Sequence, residues 1–125
     1  MEVEGINTLV LAYLGDSIYE GFVRENLVKS GISNVKELQK KSLDYVSAKS
    51  QARIVQKLID NNFFSDEELT VIKRGRNHKI SRHPKSCDAI TYRYATAFET
   101  LIGYLYLKNK IDRIKEIINR IFEEV

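Results

Sequence analysis

Two carboxylic acids stand inside helices that are otherwise apolar. Asp16 lies in "LAYLGDSIYE" and Glu99 in "ATAFETLIGYLYL". An unpaired carboxylate in a buried position costs several kcal/mol or takes up a proton, so each acid is expected to be shielded from water and matched by a cation, a set of donors or a metal. Glycine accompanies both: Gly15 precedes Asp16, and Gly103 follows Glu99 by one helical turn. Glycine inside a helix costs about 1 kcal/mol relative to alanine, a loss that close approach of two helices can offset. The pairing therefore predicts that the two helices cross here and bring the acids together. A hard divalent cation such as magnesium takes one or two carboxylates and keeps several waters, so Asp16 and Glu99 are candidate ligands. The alternative is an ordinary ion pair, with Arg53 or Arg93 as the partner.

A second constellation is cationic. Lys73, Arg74, Arg76, Lys79, Arg82, Lys85 and Arg93 face only Asp88 in their stretch of chain, which leaves the rest net negative although the whole carries just +3. Local positive charge of this kind attracts polyanions, phosphate backbones above all, while its bland reading is a solvated basic loop.

These residues need helices to position them. Val10, Leu14, Ile18 and Phe22 recur at helical spacing, predicting a helix from Asn7 to Lys29 with that stripe inward. Residues 34–64 read as two helices breaking near Tyr45, with Ser47 as a cap. "SDEE" at residues 65–68 is a capping box opening a short helix that Gly75 is placed to close. Residues 77–86 hold the only proline and no apolar period, and so form a loop. Ile90, Tyr94, Ala97, Phe98, Leu101 and Leu105 mark a further helix, and an amphipathic one capped near Asn109 ends the chain. No strand signal is present, so the fold class is all-α, one domain over residues 1–125.

Composition bounds the rest. At 125 residues, 43% hydrophobic and 30% charged, the chain is an ordinary globular domain rather than a disordered or fibrous one. Its single cysteine, Cys87, cannot form an internal disulfide, no run is long enough to span a membrane, and "MEVEGINTL" lacks the features of a signal peptide. A cytoplasmic location is expected. His78 and His83 lack further partners for a metal site and read as phosphate contacts or exposed residues, and Lys49 reads as structural.

"LAYLGDSIYE" resembles the signature helix of the ribonuclease III family. Together with "YVSAKSQA", "RGRN" and "TYRYATAFETLIGYLYL", it resembles the Mini-III branch, which consists of the catalytic domain alone. The order and spacing of these pieces cover nearly the whole chain. The resemblance implies that Asp16 and Glu99 are the magnesium ligands of an endoribonuclease. It further implies that double-stranded RNA is cut to leave 5′-phosphate and 3′-hydroxyl ends, that two subunits pair as a homodimer, and that the substrate is the stem of precursor large-subunit ribosomal RNA, with a ribosomal protein as a conceivable helper. The enzymes the chain resembles usually add a glutamate and an aspartate where it has Ala12 and Thr96. That departure opens the alternative of an inactive relative that binds structured RNA as a scaffold. With no double-stranded RNA-binding domain expected, the catalytic domain itself must grip the substrate. Lys73, Arg74, Arg76, Asn77, Lys79, Arg82, Lys85 and Arg93 are the candidates.

Overall fold

The computed structural model describes residues 2–79, 84, 85 and 87–124. Among them run a 3-10 turn at Val3–Gly5 and the helices α1 (Thr8–Lys29), α2 (Val35–Val46), α3 (Ala48–Asp60), α4 (Asp66–Arg76), α5 (Ala89–Leu107) and α6 (Ile111–Glu124), with no strand. The all-α expectation holds.

Helix ends follow from local chemistry. Ser47 ends α2 in extended backbone and caps α3, its hydroxyl accepting the Ser50 N–H. Ser65 and Glu68 form the expected reciprocal box at the start of α4. Asn62 and Asn109 take positive φ, 54° and 60°, just past α3 and α5. In each case two backbone bonds close the helix, Phe63 N–H to Leu58 and Asn62 N–H to Ile59, then Lys110 N–H to Leu105 and Asn109 N–H to Tyr106. Asn109 thus terminates α5 rather than capping α6, because asparagine tolerates the left-handed region that such a stop requires.

Helix α5 is the axis of the domain, touching α1, α3, α4 and α6. Phe98, Leu101, Ile102 and Leu105 are buried in it, against Leu11, Tyr19 and Val23 of α1 and Ile114, Ile117, Ile118 and Ile121 of α6. Tyr19 packs edge-on to Phe98 at 4.9 Å between ring centroids, and its hydroxyl donates to the Tyr45 carbonyl at 2.8 Å. Arg113 of α6 reaches buried Glu68 through two contacts of 2.8 Å and the Phe63 carbonyl at 3.0 Å, so the charge of Glu68 is fully matched.

Two sequence expectations shift. The buried face of α1 is Thr8, Leu11, Ala12, Gly15, Tyr19, Val23 and Leu27, one residue along from the predicted stripe, with Val10 57% exposed. An almost uniformly apolar helix has no preferred side by periodicity alone, and the Gly15 contact selects the face. Gly75 lies inside α4, which Asn77 caps; a Cβ there would come within 2.9 Å of the Ala97 backbone, so the residue permits packing on α5 rather than ending the helix. Among the described residues no helix is long and apolar enough to cross a membrane.

Candidate active site

Helices α1 and α5 cross at Gly15 and Gly103, and each glycine is needed there. A Cβ on Gly15 would collide with the Glu99 carbonyl, and one on Gly103 with the Leu11 carbonyl. Backbone therefore meets backbone, closer than any larger residue allows. The side chains next to this contact, Asp16 and Glu99, are brought together, as the glycines in the sequence suggest. Asp16 lies within hydrogen-bonding reach of the Glu99 carboxyl, and Glu99 is held well above the usual carboxylate range, at about 8, first by burial and then by Asp16. Glu20, one turn beyond Asp16 on α1, adds negative charge. The amide of Gln51 on α3 works in the opposite direction and favours the ionised form of Glu99.

The burial of the pair is unequal. Glu99 is half-buried, whereas Asp16 is exposed, which corrects the expectation that Asp16 is shielded. The solvent-facing side of α1 is itself apolar, with Leu9 42%, Val10 57% and Tyr13 84% exposed, so apolar neighbours in sequence do not make a buried acid here. Nor does an arginine serve the pair. Arg53 donates to the Asp44 carbonyl at 3.3 Å, Arg93 is exposed, and among the described residues no ion pair involves Asp16 or Glu99.

Two neighbouring like charges call for a shared proton or a cation. Among the described residues no set of three His, Cys, Asp or Glu side chains surrounds a common point. A closed zinc cage is therefore not furnished, while two carboxylates on the edge of solvent suit magnesium, which retains most of its waters. The donor set fits that ion.

Gln51 and Thr100 do not stand out in the sequence, yet both shape this region. Gln51 is 2% exposed; its Nε2 donates to the Val46 carbonyl at 3.1 Å, and its Oε1 is buried without a hydrogen-bond partner. The Thr100 hydroxyl donates to the carbonyls of Thr8 at 3.1 Å and Thr96 at 2.8 Å, tying the first turn of α1 to α5. The one signal for Gln51 is its place as a polar residue on the stripe that Ile54, Val55 and Leu58 continue. Ala12 and Thr96 are both buried.

The cationic candidates occupy the last turn of α4 and beyond. Lys73, Arg74, Asn77, Lys79, Lys85 and Arg93 are exposed, and Arg82 lies outside the described residues, as does His83. Arg76 is turned toward α5, its guanidinium 5.9 Å from the Tyr94 ring centre and its Nε donating to Asn77 at 3.2 Å. His78 is partly buried, its Nδ1 2.9 Å from the Thr8 hydroxyl.

Comparison with known proteins matches this architecture. The ribonuclease III domain model fits residues 9–110. A mini-ribonuclease 3 of Brevibacillus brevis is 48% identical over 93% of this chain and 85% of its own length. One of Enterococcus faecalis is 42% identical over 96% and 91% respectively. A crystal structure of a protein from Fusobacterium nucleatum superposes with a TM-score of 0.84 at 37% identity, covering 95% of this chain and 93% of that one. These relatives uphold the resemblance to the Mini-III branch. The chain belongs to the ribonuclease III family of endoribonucleases.

Proposed function

We propose that this endoribonuclease cleaves double-stranded RNA with magnesium held by Asp16 and Glu99, and that its natural substrate is the stem that closes precursor large-subunit ribosomal RNA in the cytoplasm. The observation that carries the reading is the convergence of these two carboxyls at a glycine-on-glycine crossing. Held together, they create a concentration of negative charge that a cation neutralises, and burial followed by the nearness of Asp16 raises the proton affinity of Glu99. Asp16 and Glu99 would hold a magnesium ion there, which would supply positive charge to a scissile phosphate and activate a water for attack. The protein's own residues do the rest. Gly15 and Gly103 fix the separation of the acids, Gln51 holds Glu99 toward its ionised form, and the exposure of Asp16 leaves the pair open to a substrate as large as a duplex.

Grip on that duplex is assigned to Lys73, Arg74, Arg76, Asn77, Lys79, Arg82, Lys85 and Arg93, through phosphates rather than base edges, since duplex RNA exposes mainly its shape, backbone and 2′-hydroxyls. The apolar strip of Leu9, Val10 and Tyr13 on α1 supports a homodimer, because a second copy seated on it removes these side chains from water.

The test is incubation of the purified protein with a duplex RNA, with and without magnesium, followed by mapping of the ends. Cleavage only with magnesium, leaving 5′-phosphates, is the expected result. Binding with no cleavage under either condition contradicts the reading and favours the RNA-binding scaffold.

A further inference from the structure

The basic segment does not present its charges evenly. Lys73, Arg74, Asn77 and His78, from the end of α4, converge with Asn7, Thr8 and Thr70 on an open cleft of about 550 Å³ beside the start of α1. Two elements 70 residues apart are clasped there by the 2.9 Å contact between the Thr8 hydroxyl and His78 Nδ1. Thr8 is itself buried and anchored, since its carbonyl accepts the Thr100 hydroxyl. The clasp has a chemical consequence. When the hydroxyl donates to Nδ1, the neutral imidazole carries its proton on Nε2, and the ring that lines the cleft offers a donor.

We propose that this cleft seats one backbone phosphate of the bound duplex, a proposal that rests on the RNA-cleaving reading above. The charge balance supports a single anion. Lys73 and Arg74 bring full positive charges, and among the described residues no carboxylate lines the cleft. The start of α1 adds a positive partial charge, although the Asn7 side chain accepts the Leu9 N–H and the Asn7 carbonyl accepts those of Val10 and Leu11. The end of α4 contributes a negative partial charge of about half a unit, smaller than what the two cations supply. Asn77, Thr70 and His78 provide hydrogen-bonding groups of the kind that contact phosphate oxygens. Thr8 stands eight residues before Asp16 on the same helix, about 12 Å along its axis at 1.5 Å per residue. A phosphate fixed in the cleft therefore sets the register of the duplex against the acids, within reach of one face of an RNA helix. The basic segment becomes a positioning device rather than a diffuse attraction.

Two measurements test this on the intact protein. The first is titration of the free protein with inorganic phosphate, followed by amide NMR. Saturable shifts confined to the signals of Asn7, Thr8, Asn77 and His78, lost in Arg74→Gln, are expected; uniform, non-saturating shifts overturn the site. The second is duplex affinity across salt concentrations in magnesium-free buffer. Arg74→Gln and Lys73→Gln should each weaken binding about tenfold and lower the salt slope by about one, Thr8→Val should weaken it about threefold by releasing His78, and Lys40→Gln on α2 should change nothing. If Arg74→Gln binds like the parent while the parent still cuts duplex RNA, the phosphate seat falls and the nuclease reading stands. A parent that neither binds nor cuts duplex RNA overturns both.

Discussion

The α1–α5 crossing and the α1–α4 cleft are built on opposite principles. At the crossing, backbone packs on backbone through Gly15 and Gly103, and like charges are forced into company that neither prefers. At the cleft, cations stand in water around an open space, and one hydrogen bond between Thr8 and His78 joins the walls. Chemistry on a phosphodiester demands that the acids be placed to a fraction of an ångström, whereas a phosphate seat built from several exposed groups keeps part of its hold when one of them is lost. Substitutions at the crossing should therefore act all-or-none, and those at the cleft in graded steps.

The largest effect is expected from Asp16→Asn, which removes a charge needed for the cation and keeps the shape. Cleavage should fall about a thousandfold or more, as loss of several kcal/mol of transition-state stabilisation requires, with duplex affinity intact. Parallel loss of affinity, measured by filter binding, would merge the two regions that the comparison separates.

Next come the glycines. Gly15→Ala or Gly103→Ala pushes a methyl group into the facing helix backbone and should cost about 3 kcal/mol or more in chemical denaturation, with cleavage lost too. Gly21→Ala in the same helix as Gly15 meets nothing within 4 Å and should instead stabilise by about 0.5–1 kcal/mol. Equal effects at the two positions would remove the crossing as the constraint.

The pH dependence is subtler. Glu99 titrates near 8 in the folded protein against 4.5 ordinarily, so the fold binds that proton more tightly than the unfolded chain does. Without divalent ions, stability from this group is complete below about pH 4.5 and drains away as pH rises toward 8. Water reaching the half-buried carboxyl limits the swing to the order of 1 kcal/mol, a few degrees in Tm. Thermal melts in a chelator should show that decline, and Glu99→Gln should flatten it.

The smallest effect distinguishes neighbours. Arg76→Gln should weaken duplex binding less than Arg74→Gln, because the Arg76 guanidinium lies over Tyr94 and bonds Asn77. Equal losses would return the basic segment to a uniform charge cloud.

Residues whose meaning is local are legible in the amino-acid sequence itself. Ser47 and the Ser65–Glu68 box announce helix starts because their hydrogen bonds close within three residues. Gly15 and Gly103 announce a crossing because glycine in a helix demands an explanation from outside it. What the sequence conceals depends on which side of a helix faces inward. Helix α1 is apolar nearly all round, so neither its buried stripe nor the exposure of Asp16 follows from spacing. Gln51 and the Thr8–His78 clasp are hidden for a related reason, since polar residues far apart along the chain acquire partners only when the helices pack.

Calorimetric titration of manganese, a stand-in for magnesium with the same preference for oxygen, into the folded protein at pH 7 probes the central claim most directly. Saturable binding with release of protons, abolished in both Asp16→Asn and Glu99→Gln, is the predicted result. Binding of equal strength in all three proteins would contradict it.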